Sequence, residues 1–195
     1  MQTTNKHKTM YELIFKQRNL LVDTFIVILS VAFLGLMANI RVPLWPVPIT
    51  MQTFGIFLVA FFFGSRKGLI AMLAYISAGI IGIGVFTGYG SGIKHLIGPT
   101  GGYLIGFLGA AFIVGYMIEK GYGRTKKSIF WCMVIGNLTI YFLGLIGLWI
   151  YLGNIGLWKV LMAGLIPFLI GDVIKILGAV ALFPYLWKCS EKLTR

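Results

Sequence analysis

The chain has 195 residues, 58% of them apolar and 11% charged, with a mean hydropathy of +0.91. That leaves too little polar surface to cover a water-soluble globule, so the fold class expected is an all-α membrane protein. The formal net charge of +12 belongs to a chain with no basic soluble domain, which excludes nucleic-acid binding and makes the charge a signal of membrane orientation.

Six apolar runs, residues 24–40, 49–64, 69–85, 103–118, 129–152 and 157–187, predict six transmembrane helices. Several fall short of the ~20 residues a bilayer requires, so interfacial Trp, Tyr and Gly must complete their ends. Lys6, Lys8, Lys16 and Arg18 precede the first run, and Arg66 and Lys67 separate the second from the third. Lys120, Arg124, Lys126 and Lys127 separate the fourth from the fifth, and Lys188, Lys192 and Arg195 follow the last, in all 13 of the 17 Lys and Arg. The alternate connections hold only Arg41, Lys94 and Lys159. This asymmetry places both termini in the cytoplasm. Residues 1–195 are expected to form a single integral-membrane domain, with 1–22 a cytoplasmic lead-in, interfacial over 11–15, that is not removed as a signal peptide.

After the first helix, three prolines stiffen the segment Pro43-Leu-Trp45-Pro46-Val-Pro48. Thr50 then offers its hydroxyl as a helix cap, and Gln52 and Thr53 occupy the first turn near the outer surface. A buried Gln52 amide is costly unless it is paired. Phe61-Phe62-Phe63 reads as lipid-facing bulk.

A glycine-rich stretch follows the third run, from Gly82 through Val85-Phe86 to Gly98-Pro99-Thr100-Gly101-Gly102-Tyr103. Its backbone freedom lets it fold over a pocket and offer amides to a ligand. His95 has no metal partner in view and reads as a solvated loop histidine. In the fourth helix Gly106, Gly109, Ala110 and Gly115 let neighbours approach. Asn137 and Tyr141, four residues apart on the fifth, either line a cavity or bond across helices.

Asp172 is the one acidic residue deep in an apolar run, and Lys175 follows on the same helix face. Ionisable groups at membrane depth usually face the bundle interior and serve a ligand or ion, although a self-neutralising structural pair fits as well. No Gly-x-x-x-x-Gly-Lys-Ser/Thr phosphate loop occurs, so ATP hydrolysis is not expected. No second carboxylate, Ser–His pair or metal cluster supports catalysis, and Cys132 and Cys189 have neither disulfide nor metal spacing. No enzyme activity, cofactor or metal is therefore expected.

Four motifs occur in order: Pro46-Val-Pro48-Ile-Thr50-Met-Gln52-Thr53, the Val85-Phe86 glycine loop, Gly98–Tyr103 with Gly106-Phe107, and Pro167-Phe-x-x-Gly171-Asp172-x-x-Lys175. Together they resemble the BioY family, the biotin-specific substrate-binding (S) components of energy-coupling-factor transporters. The resemblance spans about residues 24–187. It implies a six-helix plasma-membrane protein of a prokaryote that captures biotin from outside. Its implied partners are the lipid bilayer, a transmembrane coupling subunit and two ATP-hydrolysing subunits. Gly35 with Ala32 or Ala38 is then expected to give a small docking surface on the first helix.

Biotin suits the residue types. Its ureido ring has two N–H donors and one carbonyl, which Asp172, Lys175 and Gln52 can meet. Its thioether ring and chain suit Phe86, Tyr103 and Trp45, and its carboxylate suits loop amides or Lys94. Thr50, Thr100 and Asn137 complete the candidate set. The alternative is an autonomous carrier of a small carboxylated vitamin in which Asp172 shuttles a proton.

Overall fold

A computed structural model describes residues 8–15, 19–153 and 155–192; Lys6, Lys16, Arg18 and Arg195, used above for orientation, lie outside them. Helix α1 (Met10–Ile14) starts at a capping box, in which Thr9 Oγ1 accepts the Glu12 amide at 3.2 Å and the Glu12 carboxylate accepts the Thr9 amide at 2.9 Å. It is not an interfacial float: Met10, Tyr11 and Leu13 are buried. The Tyr11 ring sits under Lys67 Nζ at 3.6 Å, and its hydroxyl bonds Asp23, which Lys67 also grips at 2.8 Å.

Helix α2 (Leu20–Asn39), capped by Asn19, turns its apolar side chains Leu20, Phe25, Ile28 and Leu36 outward. In a bilayer that face meets lipid at no cost. A short antiparallel ribbon follows, β1 (Arg41–Val42) paired with β2 (Ile49–Thr50), Arg41 opposite Thr50 and Val42 opposite Ile49.

Helix α3 (Gln52–Ile80) contains two of the expected spans. At Gly64 the backbone takes φ 78° and ψ −166°, a conformation essentially confined to glycine. The chain then doubles back, which brings a Cβ placed at Gly68 to 3.7 Å from Ala60 Cα. The second half begins at Ser65, whose amide and hydroxyl both reach the Glu119 carboxylate, at 2.7 and 2.8 Å. A carboxylate at a helix start satisfies free amides and complements the helix dipole, so residues 65–68, expected to be a connection, are helical.

The bend also corrects the reading of the three phenylalanines. Phe61 and Phe63 are buried, Phe61 against Phe183 with ring centroids 4.4 Å apart and Phe63 against Tyr11 at 5.7 Å.

Two 3-10 turns, at Thr87–Tyr89 and Ile93–His95, lead to α4 (Gly101–Glu119) and α5 (Lys126–Tyr151). These helices touch closely: a side chain on Gly106 would meet Ile140 Cα at 2.9 Å. The last apolar run divides into α6 (Leu157–Gly164) and α7 (Ile166–Lys192). Pro167 lacks an amide and sits in the first turn of α7, where no intrahelical donor is needed. Among the described residues, α2, α3, α4, α5 and the joined α6–α7 are each long and apolar enough to cross a membrane; counting the two legs of the folded α3 separately gives the six helical segments expected.

The end of the bundle bearing Gly64 is tied by polar contacts. Trp187 Nε1 donates to Gly123 O at 2.8 Å, and the Arg124 guanidinium lies 3.4 Å from the centre of the Trp187 ring and 3.5 Å from Glu191. The opposite end holds a cavity.

Candidate binding site

The cavity is lined by residues of α3, α4, α5 and α7 together with the outer loops. Helix α7 supplies its polar centre. Asp172 and Lys175 point inward together, with Nζ 3.0 Å from Oδ1 and both side chains less than a tenth exposed. Lys175 also donates to Thr53 Oγ1 at 3.0 Å from the start of α3, and the Tyr141 hydroxyl on α5 donates to Asp172 Oδ2. Three helices therefore converge on one ion pair, which fixes both charged groups before any ligand arrives.

The walls follow from the helix breaks. Gly164 O, freed where α6 gives way to α7, accepts the Tyr103 hydroxyl at 2.7 Å. That bond holds the Tyr103 ring against the cavity, 6.4 Å from Phe168. On the other side, Gln52 Nε2 donates to the Tyr75 hydroxyl at 2.8 Å, and Tyr75 in turn donates to Val85 O at 2.9 Å. Phe86, the next residue, packs edge-on against Tyr75 and fills the wall at 2% exposure. Asn39 closes the arrangement, its carbonyl oxygen accepting the Tyr89 amide at 2.8 Å and its amide donating to Phe86 O at 3.3 Å.

Seven of the ten residues singled out in the sequence line this cavity: Thr50, Gln52, Phe86, Thr100, Tyr103, Asp172 and Lys175. Thr50 receives the Gln52 amide at 3.2 Å, although the helix cap position itself is Met51. The Thr100 hydroxyl donates to His95 O at 3.3 Å. Three residues stand elsewhere. Trp45 is 86% exposed on the ribbon loop, because neighbouring Pro46 and Val47 take the buried positions. Lys94 lines an adjoining outer recess. Asn137 is buried one turn along α5 from Tyr141 but is not in the cavity wall, and its side-chain oxygen has no partner among the described residues.

His95, read as a solvated loop residue, is part of the wall, with its ring 5.3 Å from Phe86. Phe107 and Phe168 were missed, although spacing marks both: Phe107 lies four residues after Tyr103 and Phe168 four before Asp172, each on the same helix face. The small-residue row on α2 serves the interior. A side chain at Gly35 would meet Val85 at 3.3 Å and Ala38 is fully buried, so of the expected docking residues only Ala32 is exposed.

Residues 6–192 match the model of the BioY family. A Pyrococcus horikoshii protein described as a probable biotin transporter BioY is 36% identical over 159 residues, covering 81% of this chain and 91% of that one. The biotin transporter BioY of Thermotoga maritima is 39% identical over 145 residues, covering 73% and 82%. The crystal structure of the S-component for biotin from an ECF-type ABC transporter superposes with a TM-score of 0.75 at 27% identity, covering 86% of this chain and 92% of that one.

Proposed function

The chain belongs to the BioY family, and from that premise we propose that its cavity binds biotin as the S component of an energy-coupling-factor transporter. In this reading the cavity opens outward and the Gly64 end faces the cytoplasm, as the basic-residue asymmetry supports. A transmembrane coupling subunit and two ATP-hydrolysing subunits supply the energy, since this chain carries no phosphate loop.

The observation that carries the reading is the unused bonding capacity of the Asp172–Lys175 pair. An ammonium has three protons, and Lys175 commits two, to Asp172 and Thr53. A carboxylate accepts about four hydrogen bonds, and Asp172 receives two, from Lys175 and Tyr141. One donor and two acceptor sites remain, the complement of a ureido group with its one carbonyl and two N–H. The pair is neutral as a unit, so a neutral ring enters without uncompensated charge. Phe86, Tyr103, Phe107 and Phe168 supply the apolar wall that a thioether ring and aliphatic chain require.

A proton-coupled carrier would need Asp172 to gain and lose a proton. In the structure both of its oxygens are engaged, Oδ1 by Lys175 and Oδ2 by Tyr141, an arrangement suited to fixed binding. The test is reconstitution in liposomes with labelled biotin. The protein alone should bind biotin without accumulating it, and accumulation should require the ATP-hydrolysing partners. Concentrative uptake by the lone chain under an imposed proton gradient would establish the carrier instead.

A further inference from the structure

Outside the cavity lies a second, more open recess, sharing Pro48, Thr87, His95 and Thr100 with it. Its charged lining is Arg41 from β1 and Lys94 from the second 3-10 turn. Neither has a carboxylate partner among the described residues. The chain's five acidic residues are all placed elsewhere: Glu12 on Thr9, Asp23 on Lys67, Glu119 on Ser65, Glu191 by Arg124, and Asp172 on Lys175. The recess therefore carries uncompensated positive charge, whereas the inner ion pair is neutral as a unit.

Two details mark the recess as built for a ligand. The Arg41 guanidinium lies against the loop at Gly88, where a Cβ would stand 3.0 Å from Nη1. At the waist between the two spaces, the Thr87 hydroxyl is buried and has no hydrogen-bond partner, which is a cost unless something arrives to pair with it.

We propose that this recess is the subsite for the ligand's anionic tail: the ring binds at Asp172 and Lys175, the chain passes the waist at Thr87, and the terminal carboxylate sits between Arg41 and Lys94. The inference rests on the biotin reading above and adds a specificity to it, preference for the free acid over neutral-tailed analogues. A carboxylate gains from two cations lacking counter-ions, whereas a neutral amide does not.

The test is calorimetric titration of the purified full chain and of the Arg41→Gln/Lys94→Gln double variant, each with biotin and with biotinamide, whose tail is uncharged. The parent should prefer biotin by about tenfold or more. The double variant should lose about tenfold for biotin and stay within about twofold for biotinamide, in keeping with charge-assisted contacts at a partly exposed site. Unchanged biotin binding by the variant overturns the subsite, and so does equal loss of both ligands, which would make the two cations structural. A parent protein that binds neither ligand overturns the biotin reading itself and takes this inference with it.

Discussion

The Gln52 amide lies 2.8 Å from the Tyr75 hydroxyl, although at a rise of ~1.5 Å per residue a continuous helix would set those residues ~34 Å apart. That one bond records the reversal of α3 at Gly64. Its continuation to Val85 O at 2.9 Å couples the reversal to the loop that carries Phe86 into the site.

Tyr75→Phe should therefore leave the Gln52 amide and the Val85 carbonyl short of a partner in the apolar interior. The expected cost is about 1–3 kcal/mol, visible as a lower melting temperature of the purified protein in detergent. An unchanged melting temperature would mean that the chain of bonds contributes nothing net.

Gly64→Ala should also destabilise. The new Cβ meets Thr9 Cγ2 at 2.7 Å, and the backbone there has φ 78°, a combination costing about 1–3 kcal/mol for strain alone. Because α1 sits against this bend, increased proteolysis near Met10–Ile14 is the local readout. Equal proteolysis and equal melting in variant and parent would contradict it.

Orientation can be read by cysteine labelling. Cys189 is exposed and Cys132 buried, so Cys189→Ser gives a quiet background. Ser91→Cys should then react with an impermeant maleimide added outside intact cells, and Tyr122→Cys only after permeabilisation. The reverse pattern would invert the topology derived from the basic residues.

Much of this architecture could be read from the chain. The apolar runs mark the crossings, and the i, i+3 spacing of Asp172 and Lys175 puts both groups on one face without any tertiary information. What could not be read depends on distant partners. Residues 65–68 look like a charged connection because Arg66 and Lys67 stand there, yet they are helical since Glu119, 54 residues on, caps Ser65. Tyr11 looks interfacial by composition and is buried because Lys67, Asp23 and two phenylalanines converge on it. Thr53 and Tyr141 were visible as polar residues on helices, but only the folded bundle sets them on Lys175 and Asp172. Trp45 is the converse case: Pro43, Leu44 and Trp45 stand exposed on the ribbon loop while Pro46 and Val47 turn inward, an arrangement set by the folded loop and not by residue type.

The central claim is that the ionised Asp172 carboxylate, held by Lys175 and Tyr141, receives the ureido N–H groups of biotin. Calorimetric titration of biotin into Asp172→Asn, shown to be folded by its elution and melting, tests this most directly. Loss of charge-assisted hydrogen bonds worth about 1.5–3 kcal/mol predicts roughly ten- to hundredfold weaker binding than the parent. A folded variant that binds biotin as tightly as the parent would contradict the account and leave Asp172–Lys175 as a structural ion pair.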